Sequence, residues 1–306
     1  MFKPMKPPSG VLEDADLKWV RFPVIGSPKL DGFRISNQEG RVRSSTLAPI
    51  PNRQIQAAWG LAEFEGLDGE VVVGSPTEQG AIQRTSSIVT TAEANADAAC
   101  WYIFDKYHPT LPYTERRKLL IQQLSKLREL KLGVVLVQTK VLNNLEELLA
   151  YEQECINAGY EGMMLNNPRA SYKQGRSTIT DQGLLRRKPF LDGEGVIIGF
   201  EQGESNQNPV TINALGRSKR STAKSGIVKV DTLGTFVVRG LTVYPGVVFP
   251  VGAFGTLDER RDIWRNRDQY LGKILKFKFQ RYGSKNSPRV PIGLGFRDPS
   301  DITLEK

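Results

Sequence analysis

The sequence contains one lysine whose neighbours suit nucleophilic chemistry at phosphorus. It begins the stretch KLDGFR (29–34), which follows the β-like run PVIGS (23–27). A lysine attacks phosphorus only when its amine is deprotonated and the charge on the leaving group is neutralised. Asp31 lies on the same side as Lys29 if the backbone is extended, and Gly32 permits a tight turn. Lys29 is therefore a candidate nucleophile, although a surface Lys-Asp turn has the same pattern.

Five further stretches carry residue types that bind nucleoside triphosphates. They are RVRSSTLAPIPN with Arg43, the tripeptide DGE that ends at Glu70, WYIFDKY with Phe104, GYEGMML with Glu161, and LLRRKPF with Arg186 and Lys188. Carboxylates hold Mg²⁺, cations bind phosphates, and an aromatic ring stacks on a base. Each stretch alone also fits an exposed charge or a core aromatic residue, but the set favours metal and triphosphate chemistry.

In this order and spacing, the stretches resemble the motifs of the covalent nucleotidyltransferase superfamily. The resemblance is to minimal ATP-dependent DNA ligases of the phage and viral type, and it spans the chain from about Phe2 to Asp301. It implies that Lys29 takes AMP, with Asp31 beside it and Arg34 toward the nick. Ser27, in the run that leads into Lys29, is assigned to the nucleotide site on the same basis.

The resemblance also implies roles for the other motif residues. Arg43 binds the 5′-phosphate of the nick and borders the nucleotide, Glu70 lies near the ribose and the metal, Phe104 stacks on adenine, Glu161 binds the metal, and Arg186 and Lys188 bind the α-phosphate. Arg186 departs from the usual K-x-K pattern, because its guanidinium is a planar fork rather than a point charge. PRVPIGLGFRDPSD resembles the motif that orients pyrophosphate, which implies Arg297, assisted by Asp301.

Composition limits the class of protein and the kind of metal. A chain of 306 residues predicts two domains, and the net charge of +9 suits an extended anionic partner. Most of that excess lies in residues 191–306. With one histidine, His108, and with Cys100 and Cys155 unpaired in spacing, a zinc site is not expected, and Mg²⁺ or Mn²⁺ suits the carboxylates. We expect no membrane segment or secretion signal, and a cytoplasmic protein.

The first 190 residues combine strand and helix patterns of an α+β domain. Predicted strands are Glu70–Val73, Trp101–Asp105, Val134–Gln138 and Met163–Leu165. Thr114 is predicted to cap a helix over residues 115–130, in which Leu120, Leu124, Leu127 and Leu130 recur at helical spacing. Asn144 is predicted to cap a second helix that Gly159 ends. These elements fit an N-terminal nucleotidyltransferase (adenylation) domain of antiparallel sheets with flanking helices, over residues 1–189.

Residues 190–306 favour a second domain, an OB-fold barrel. Pro189 and the stretch LDGEG predict an interdomain hinge, and GVIIGF, TFVVRG and KILKFKF predict strands. The pattern from Thr256 to Glu259 predicts a capped helix. Residues 205–230 contain no acidic residue and predict a mobile basic loop that contacts DNA through Arg217, Lys219, Arg220 and Lys224, besides Lys229. Movement of the barrel about the hinge would bring Arg297 to the nucleotide.

These patterns together predict an ATP-dependent DNA ligase that seals nicks between a 3′-hydroxyl and a 5′-phosphate through a lysyl-AMP and a DNA-adenylate. Nicked duplex DNA is the expected partner, and nothing in the sequence predicts an obligate oligomer, so we expect a monomer. Three alternatives stay open: an RNA ligase, a GTP-dependent mRNA capping guanylyltransferase, and a DNA-binding protein without activity. Preference for ATP over GTP separates the first prediction from the capping enzyme.

Overall fold

The chain folds into two compact units, Met1–Pro189 and Phe190–Lys306. The structure is a computed structural model, and it describes residues 1–78, 80–127, 132–280, 287–298 and 300. Leu130 and Asp301, to which the sequence assigned places, lie outside the described residues. Every described helix is too short or too polar to serve as a membrane-spanning segment.

The described part of the first unit contains two β-sheets and four α-helices. Its strands are β1 (Val24–Pro28), β2 (Phe33–Gln38), β3 (Arg41–Ser44), β4 (Leu67–Val73), β5 (Ala99–Lys106), β6 (Gly133–Leu136), β7 (Lys140–Leu142), β8 (Met163–Asn166) and β9 (Leu184–Arg187). Its helices are α1 (Arg53–Trp59), α2 (Ala81–Val89), α3 (Tyr113–Leu124) and α4 (Leu145–Asn157), with 3₁₀ turns at Asp14–Trp19 and Ala62–Phe64. One sheet has the order β7-β1-β8-β9 and the other β3-β2-β4-β5-β6. All of the pairs are antiparallel except β5 with β6, and the predicted α+β class is confirmed.

Each sheet buries one face in its own hydrophobic core. The five-stranded sheet packs Ile35, Val71 and Trp101 against α1, where Trp59 is fully buried. The four-stranded sheet packs Met163 and other apolar residues against α4. Because side chains alternate along a strand, the opposite faces of both sheets are left for polar residues. Those faces carry five of the predicted site residues, Ser27, Arg34, Glu70, Phe104 and Arg186.

The two predicted helices agree with the structure in different degrees. The Asn144 side chain accepts a hydrogen bond from the Glu147 amide, so this predicted cap is confirmed, and α4 ends two residues before Gly159. The predicted Thr114 cap is wrong, because α3 begins at Tyr113 with Pro112 at the cap position. Proline fits there because it has no amide hydrogen to satisfy. Within α3, the Thr114 hydroxyl instead donates to the Pro168 carbonyl.

The second unit is a closed five-stranded barrel. Its strands are β10 (Leu191–Asn206), β11 (Val210–Ile212), β12 (Ser218–Arg220), β13 (Ile227–Gly240), β14 (Val248–Gly252), β15 (Ile274–Gln280) and β16 (Arg289–Arg297), with helix α5 (Leu257–Arg265) and 3₁₀ turns at Lys224–Gly226 and Arg267–Tyr270. The barrel order is β10-β13-β14-β16-β15, and α5 connects β14 to β15 along the chain. This is the OB-fold, as predicted. The capping box from Thr256 to Glu259 at the start of α5 is also confirmed.

Two expectations about this unit are wrong. The stretch LDGEG begins β10 and pairs with β15 from Leu191 to Val196, so it is barrel strand rather than hinge. Its glycines serve close packing, since a Cβ on Gly195 would lie 2.3 Å from Val238 Cγ1. Residues 205–230 are not a simple loop. Strands β10 and β13 continue out of the barrel as a paired ribbon, and β11 and β12 form a further hairpin.

The hairpin at the end of the ribbon forms because β-branched residues occupy a strand and a glycine occupies the turn. Val210, Thr211 and Ile212 favour an extended backbone, and Gly216, at φ 73°, closes the turn between β11 and β12. The predicted cations Arg217, Lys219, Arg220 and Lys224 are all exposed on it. Lys229 pairs with Glu204 across the two long strands at 2.7 Å. The segment is therefore an ordered basic ribbon, made of residues 203–230.

Two glutamates of α4 allow the contribution of a buried ion pair to the free energy of unfolding to be compared with that of an exposed pair. Glu152, whose side chain is 9% exposed, binds Arg187 through both carboxylate oxygens, at 2.7 and 3.0 Å. Replacing it, as Glu152→Gln, leaves the buried guanidinium undercompensated, and we expect the free energy of unfolding of the first unit to fall by about 3 kcal/mol. Denaturant unfolding monitored by circular dichroism measures the change.

The matched control is Glu154→Gln, two residues along the same helix. Glu154 pairs with Lys140 at 2.8 Å, but its side chain is 57% exposed, so water and salt screen the pair. We expect a loss below about 1 kcal/mol. Equal losses in the two variants would contradict the assignment of Arg187 and Glu152 as a stabilising buried pair.

Candidate active site

A cleft of about 330 Å³ lies within the first unit, where the polar faces of its two sheets are exposed. Six predicted site residues line it: Ser27, Lys29, Arg34, Glu70, Phe104 and Arg186. The other lining residues are Met5, Lys6, Pro7, Pro28, Leu30, Ser45, Asp105, Met164, Asn166, Arg176 and Leu184. The motifs, which are up to 160 residues apart in sequence, thus contribute to one cavity.

Strand register explains why Ser27 and Arg186 share this cavity. In the four-stranded sheet, Ser27 pairs with Met164, and Met164 pairs with Arg186, so the three side chains form one row across the sheet. Met163 and Arg187, which pair in the next row, face the opposite side. Arg187 is therefore buried beside Glu152, whereas Arg186 faces the cleft. A one-residue shift in β9 would exchange these two arginines.

Lys29 is held by the residues that follow α4. Its backbone amide donates to the Gly162 carbonyl at 2.9 Å, and its Nζ donates to Glu161 Oε2 at 2.5 Å. Lys188 Nζ donates to the second oxygen, Glu161 Oε1, at 2.7 Å. One carboxylate thus lies between two ammonium groups. Only 5% of the Glu161 side chain is exposed, against 20% for that of Lys29.

The two lysines determine the charge of Glu161. Burial alone would raise the pKa of this carboxyl, but the ammonium groups of Lys29 and Lys188 outweigh burial and lower the pKa to about 2. Glu161 is therefore ionised throughout the neutral range. A carboxylate of such low pKa is a poor proton acceptor, so it is suited to orienting the Lys29 amine rather than to deprotonating it.

Arg34 lies across the cleft on the five-stranded sheet. Its Nε and Nη2 donate to both oxygens of Asp68, at 3.0 and 2.6 Å, and its guanidinium lies 5.1 Å from the centre of the Phe104 ring. Burial opposes the charge on Arg34, but the ion pair with Asp68 prevails and the pKa of Arg34 is raised. Asp68 is fully buried, and it belongs to the same DGE tripeptide as Glu70.

Glu70 faces the cleft from the strand beside Arg34, with which it is in register. Burial raises the pKa of Glu70 to about 7, although Lys29 and Arg34 oppose the shift. When burial raises the pKa of a carboxyl group, any cation that binds nearby stabilises its ionised form. Gly32 is required nearby, because a Cβ there would lie 2.3 Å from the Val71 carbonyl oxygen and 2.8 Å from Glu70 Cγ. The glycine of the KLDGFR stretch therefore serves close approach of β2 to β4.

The Arg186 side chain is held less firmly than that of Lys188, which pairs with Glu161. Its Nη2 donates to the carbonyls of Ser9 and Gly10, at 2.9 and 3.3 Å, and its Nε is buried without a hydrogen-bond partner. Burial lowers the pKa of Arg186, and the neighbouring charge of Arg176 adds to the shift. A cation in such surroundings is stabilised by an anion in the cleft. This is the arrangement that a phosphate group satisfies.

Some predicted residues lie elsewhere. Asp31 is partly exposed and does not line the cleft. Arg43, on β3, does not line it either, and its Nη1 donates to the Leu47 carbonyl at 3.2 Å. Arg297 ends β16 in the second unit, where its Nε lies 3.4 Å from Glu194 Oε1. The four ribbon cations also belong to the second unit.

The motifs in the sequence did not identify the N-terminal wall of the cleft. Lys6 donates its amide to the Gly175 carbonyl at 2.6 Å and accepts from the Ser177 amide at 2.7 Å, so residues 5–7 run beside the segment that carries Arg176. Lys6 and Arg176 both line the cleft. Neither lies in a motif that the sequence singled out, and the pairing joins positions about 170 apart. Their positive charge was the only signal available.

The fold and the cleft define the class of protein. A lysine held by a buried carboxylate lies between two sheets with further cations and an aromatic ring, and an OB-fold follows, which together are the architecture of a nucleotidyltransferase. Residues 19–188 match the family described as the ATP dependent DNA ligase domain. The chain belongs to this family.

Solved structures and sequences give the same result. The chain is 30% identical to Chlorella virus DNA ligase-adenylate, over 98% of this chain and 99% of that one, with a TM-score of 0.55. Over 120 residues, 38% of this chain, it is 25% identical to a DNA ligase of African swine fever virus. Over 100 residues, 32% of this chain, it is 36% identical to the DNA ligase of Haloferax volcanii. These matched regions make up 28% and 16% of the two proteins' own lengths.

Proposed function

We propose that the protein is an ATP-dependent DNA ligase that seals nicks in duplex DNA. The observation that carries this proposal is the Lys29–Glu161–Lys188 cluster, in which an amine is fixed at the edge of a cleft lined by cations. The likeness to Chlorella virus DNA ligase-adenylate and the match to the ATP dependent DNA ligase domain support the same activity. The substrates would be ATP and a nick with a 3′-hydroxyl and a 5′-phosphate.

The first transfer would join AMP to Lys29. The deprotonated Nζ forms a bond to the α-phosphorus of ATP as the bond to pyrophosphate breaks. Lys188 and Arg186 neutralise charge on the α-phosphate, while Glu161 orients the amine. The base would enter between Phe104 and Met164, which line the cleft from opposite sheets. Ser27 and Glu70 lie where the nucleotide's sugar would pass.

Two carboxylates of the site suit a hard cation. Within the described residues no group of three or more His, Cys, Asp or Glu side chains converges as a metal site. Mg²⁺, however, commonly takes one or two carboxylates and fills its other positions with water and phosphate oxygens. Glu70, whose pKa burial raises, and Glu161 fit that pattern. When bound, Mg²⁺ or Mn²⁺ would neutralise the charge that develops on the phosphates.

The later transfers would take place on DNA. The AMP moves from Lys29 to the 5′-phosphate of the nick, and the 3′-hydroxyl then attacks that phosphate and releases AMP. We propose that Arg34 and Arg43 contact the 5′-phosphate strand. The basic ribbon would bind phosphates of the duplex. Its Arg217, Lys219, Arg220 and Lys224 have no acidic residue among them to offset their charge.

The first test of this proposal concerns the nucleophile. We expect Lys29→Ala to abolish covalent labelling of the protein by ATP radiolabelled at the α-phosphate, because Lys29 lines the cleft with its amine held by Glu161, whereas Lys188, which binds the other oxygen of Glu161, is not part of the lining. Labelled GTP run in parallel separates this activity from mRNA capping. Lys140→Ala, which removes an exposed lysine, is the control and should label normally. Wild-type labelling of the Lys29 variant would refute the assignment.

A second test concerns Arg297. If it assists departure of pyrophosphate, Arg297→Ala should reduce self-adenylylation by at least about tenfold, the effect of one lost charge contact. Sealing of a nick that already carries AMP on its 5′-phosphate should change little, because pyrophosphate has no part in it. Arg265→Ala, which removes an exposed arginine paired with Asp231 in the same unit, is the control. Equal losses in both assays of the Arg297 variant would contradict this role.

A third test concerns the ribbon. Replacing Arg217, Lys219, Arg220 and Lys224 together by alanine should weaken nick binding. It should also flatten the plot of log affinity against log salt, by roughly 0.9 for each lost phosphate contact. Self-adenylylation requires no DNA and should persist. Fluorescence anisotropy of a labelled nick across a salt series gives the slope.

The control for this test carries the same change in net charge. It replaces Arg53, Lys118, Lys126 and Lys140, which are exposed cations of the first unit, by alanine. If both fourfold variants lose the same slope, the ribbon contributes only general charge. If neither does, it does not bind DNA phosphates at all.

A further inference from the structure

A buried chain of hydrogen bonds connects the N-terminal segment to Arg34. The Met5 amide donates to the Tyr172 hydroxyl at 3.0 Å, and that hydroxyl donates to Asp68 Oδ2 at 2.5 Å. Asp68 in turn accepts both hydrogen bonds from Arg34, at 3.0 and 2.6 Å. The chain joins four segments of the sequence, near residues 5, 34, 68 and 172. Tyr172 lies between Met5 and Asp68, and neither the motifs nor the proposed reaction uses it.

Asp68 needs a third donor. Its side chain is fully buried, and a buried carboxylate is costly unless its oxygens are hydrogen-bonded. Arg34 supplies one donor to each oxygen, and these two bonds alone would let the carboxylate tilt together with the guanidinium. The Tyr172 hydroxyl adds a bond to Oδ2 from a different direction. It thereby fixes the carboxylate to which Arg34 is attached.

Tyr172 is itself firmly held. It is 4% exposed, and its ring makes edge contacts with Phe2 and Tyr107, with ring centroids 5.6 and 5.3 Å away. The Arg116 guanidinium lies 5.3 Å from the ring centre on another side. Burial, and then the charge of Asp68, raise the pKa of Tyr172 well above its usual value, so the hydroxyl remains a donor. A donor in fixed packing can define the orientation of its acceptor.

The chain of hydrogen bonds ends at Arg34. Its guanidinium is held over the Phe104 ring at 5.1 Å, on the wall of the cleft where the nucleotide would lie. We propose that Tyr172 is a positioning residue for Arg34, which it orients through Asp68 toward the phosphate of the nick. This inference rests on the proposed function, in which Arg34 contacts the 5′-phosphate strand. It adds a residue that touches neither nucleotide nor DNA.

The test removes one oxygen atom. Tyr172→Phe keeps the ring and deletes only the hydroxyl, so Asp68 loses its third donor. We expect sealing of a pre-adenylylated nick to slow by roughly tenfold, the size of effect of one hydrogen bond to a charged group. Self-adenylylation, for which Arg34 is not proposed, should stay within about twofold. Thermal unfolding should remain cooperative, and a variant that loses it would show a purely structural role and overturn the proposal.

The chain offers a matched control in the same aromatic cluster. Tyr107→Phe also deletes one hydroxyl, but that hydroxyl accepts only a 3.4 Å hydrogen bond from Gln174, and it does not contact Asp68. We expect normal sealing and normal self-adenylylation. An equal loss in the two variants would mean that any disturbance of the cluster impairs sealing, and the proposal would be wrong.

A double-mutant cycle identifies the route of the effect. In an Arg34→Ala background, Tyr172→Phe should cause no further loss of sealing, because the residue it positions is gone. Additive losses would overturn the proposal, since a structural contribution would not depend on Arg34. A normal sealing rate for Arg34→Ala alone would instead reject the role of Arg34 in the proposed function. The two failures are thus distinguishable.

Discussion

The cleft depends on the ion pairs that the buried Glu161 carboxylate makes with the ammonium groups of Lys29 and Lys188. Glu161 holds Lys29 from one strand end and Lys188 from another, and its charge persists because each lysine compensates for its burial. The next residue, Gly162, has φ 146°, and its carbonyl accepts a hydrogen bond from the Lys29 amide. A Cβ there would lie 2.4 Å from the Arg187 carbonyl oxygen, so only glycine lets these three segments meet. The sheets, in turn, bring the cations and Phe104 to this point.

Three buried ion pairs of the first unit balance their charges locally. Arg34 is paired with Asp68, Arg116 with Asp105, and Arg187 with Glu152. Each pair has more than one hydrogen bond, as burial requires. Charge on the ribbon is different, because Arg217, Lys219, Arg220 and Lys224 are exposed and residues 205–230 contain no acidic residue. The first arrangement fixes side chains in place, and the second leaves charge available for a partner.

The sequence predicted those parts of the structure that local rules determine. A polar cap fixes the start of α4 at Asn144, and a capping box fixes the start of α5 at Thr256. It could not predict contacts between distant segments, such as the hydrogen bonds of Tyr172 to Met5 and Asp68. Residues 205–230 were misjudged for a related reason. Polar residues and scattered glycines are typical of loops, but pairing of β10 with β13 overrides that local preference.

The continuity of β10 has a consequence for variation among such proteins. Its first six residues close the barrel against β15, whereas from Gly203 onward it pairs only with β13. Residue pairs inserted or deleted beyond that point leave every barrel contact in place. Because side chains alternate with a period of two, a change of two residues on each strand preserves which of them face outward. The ribbon can therefore lengthen, shorten or exchange its tip as an independent module, while the barrel from which it extends stays the same.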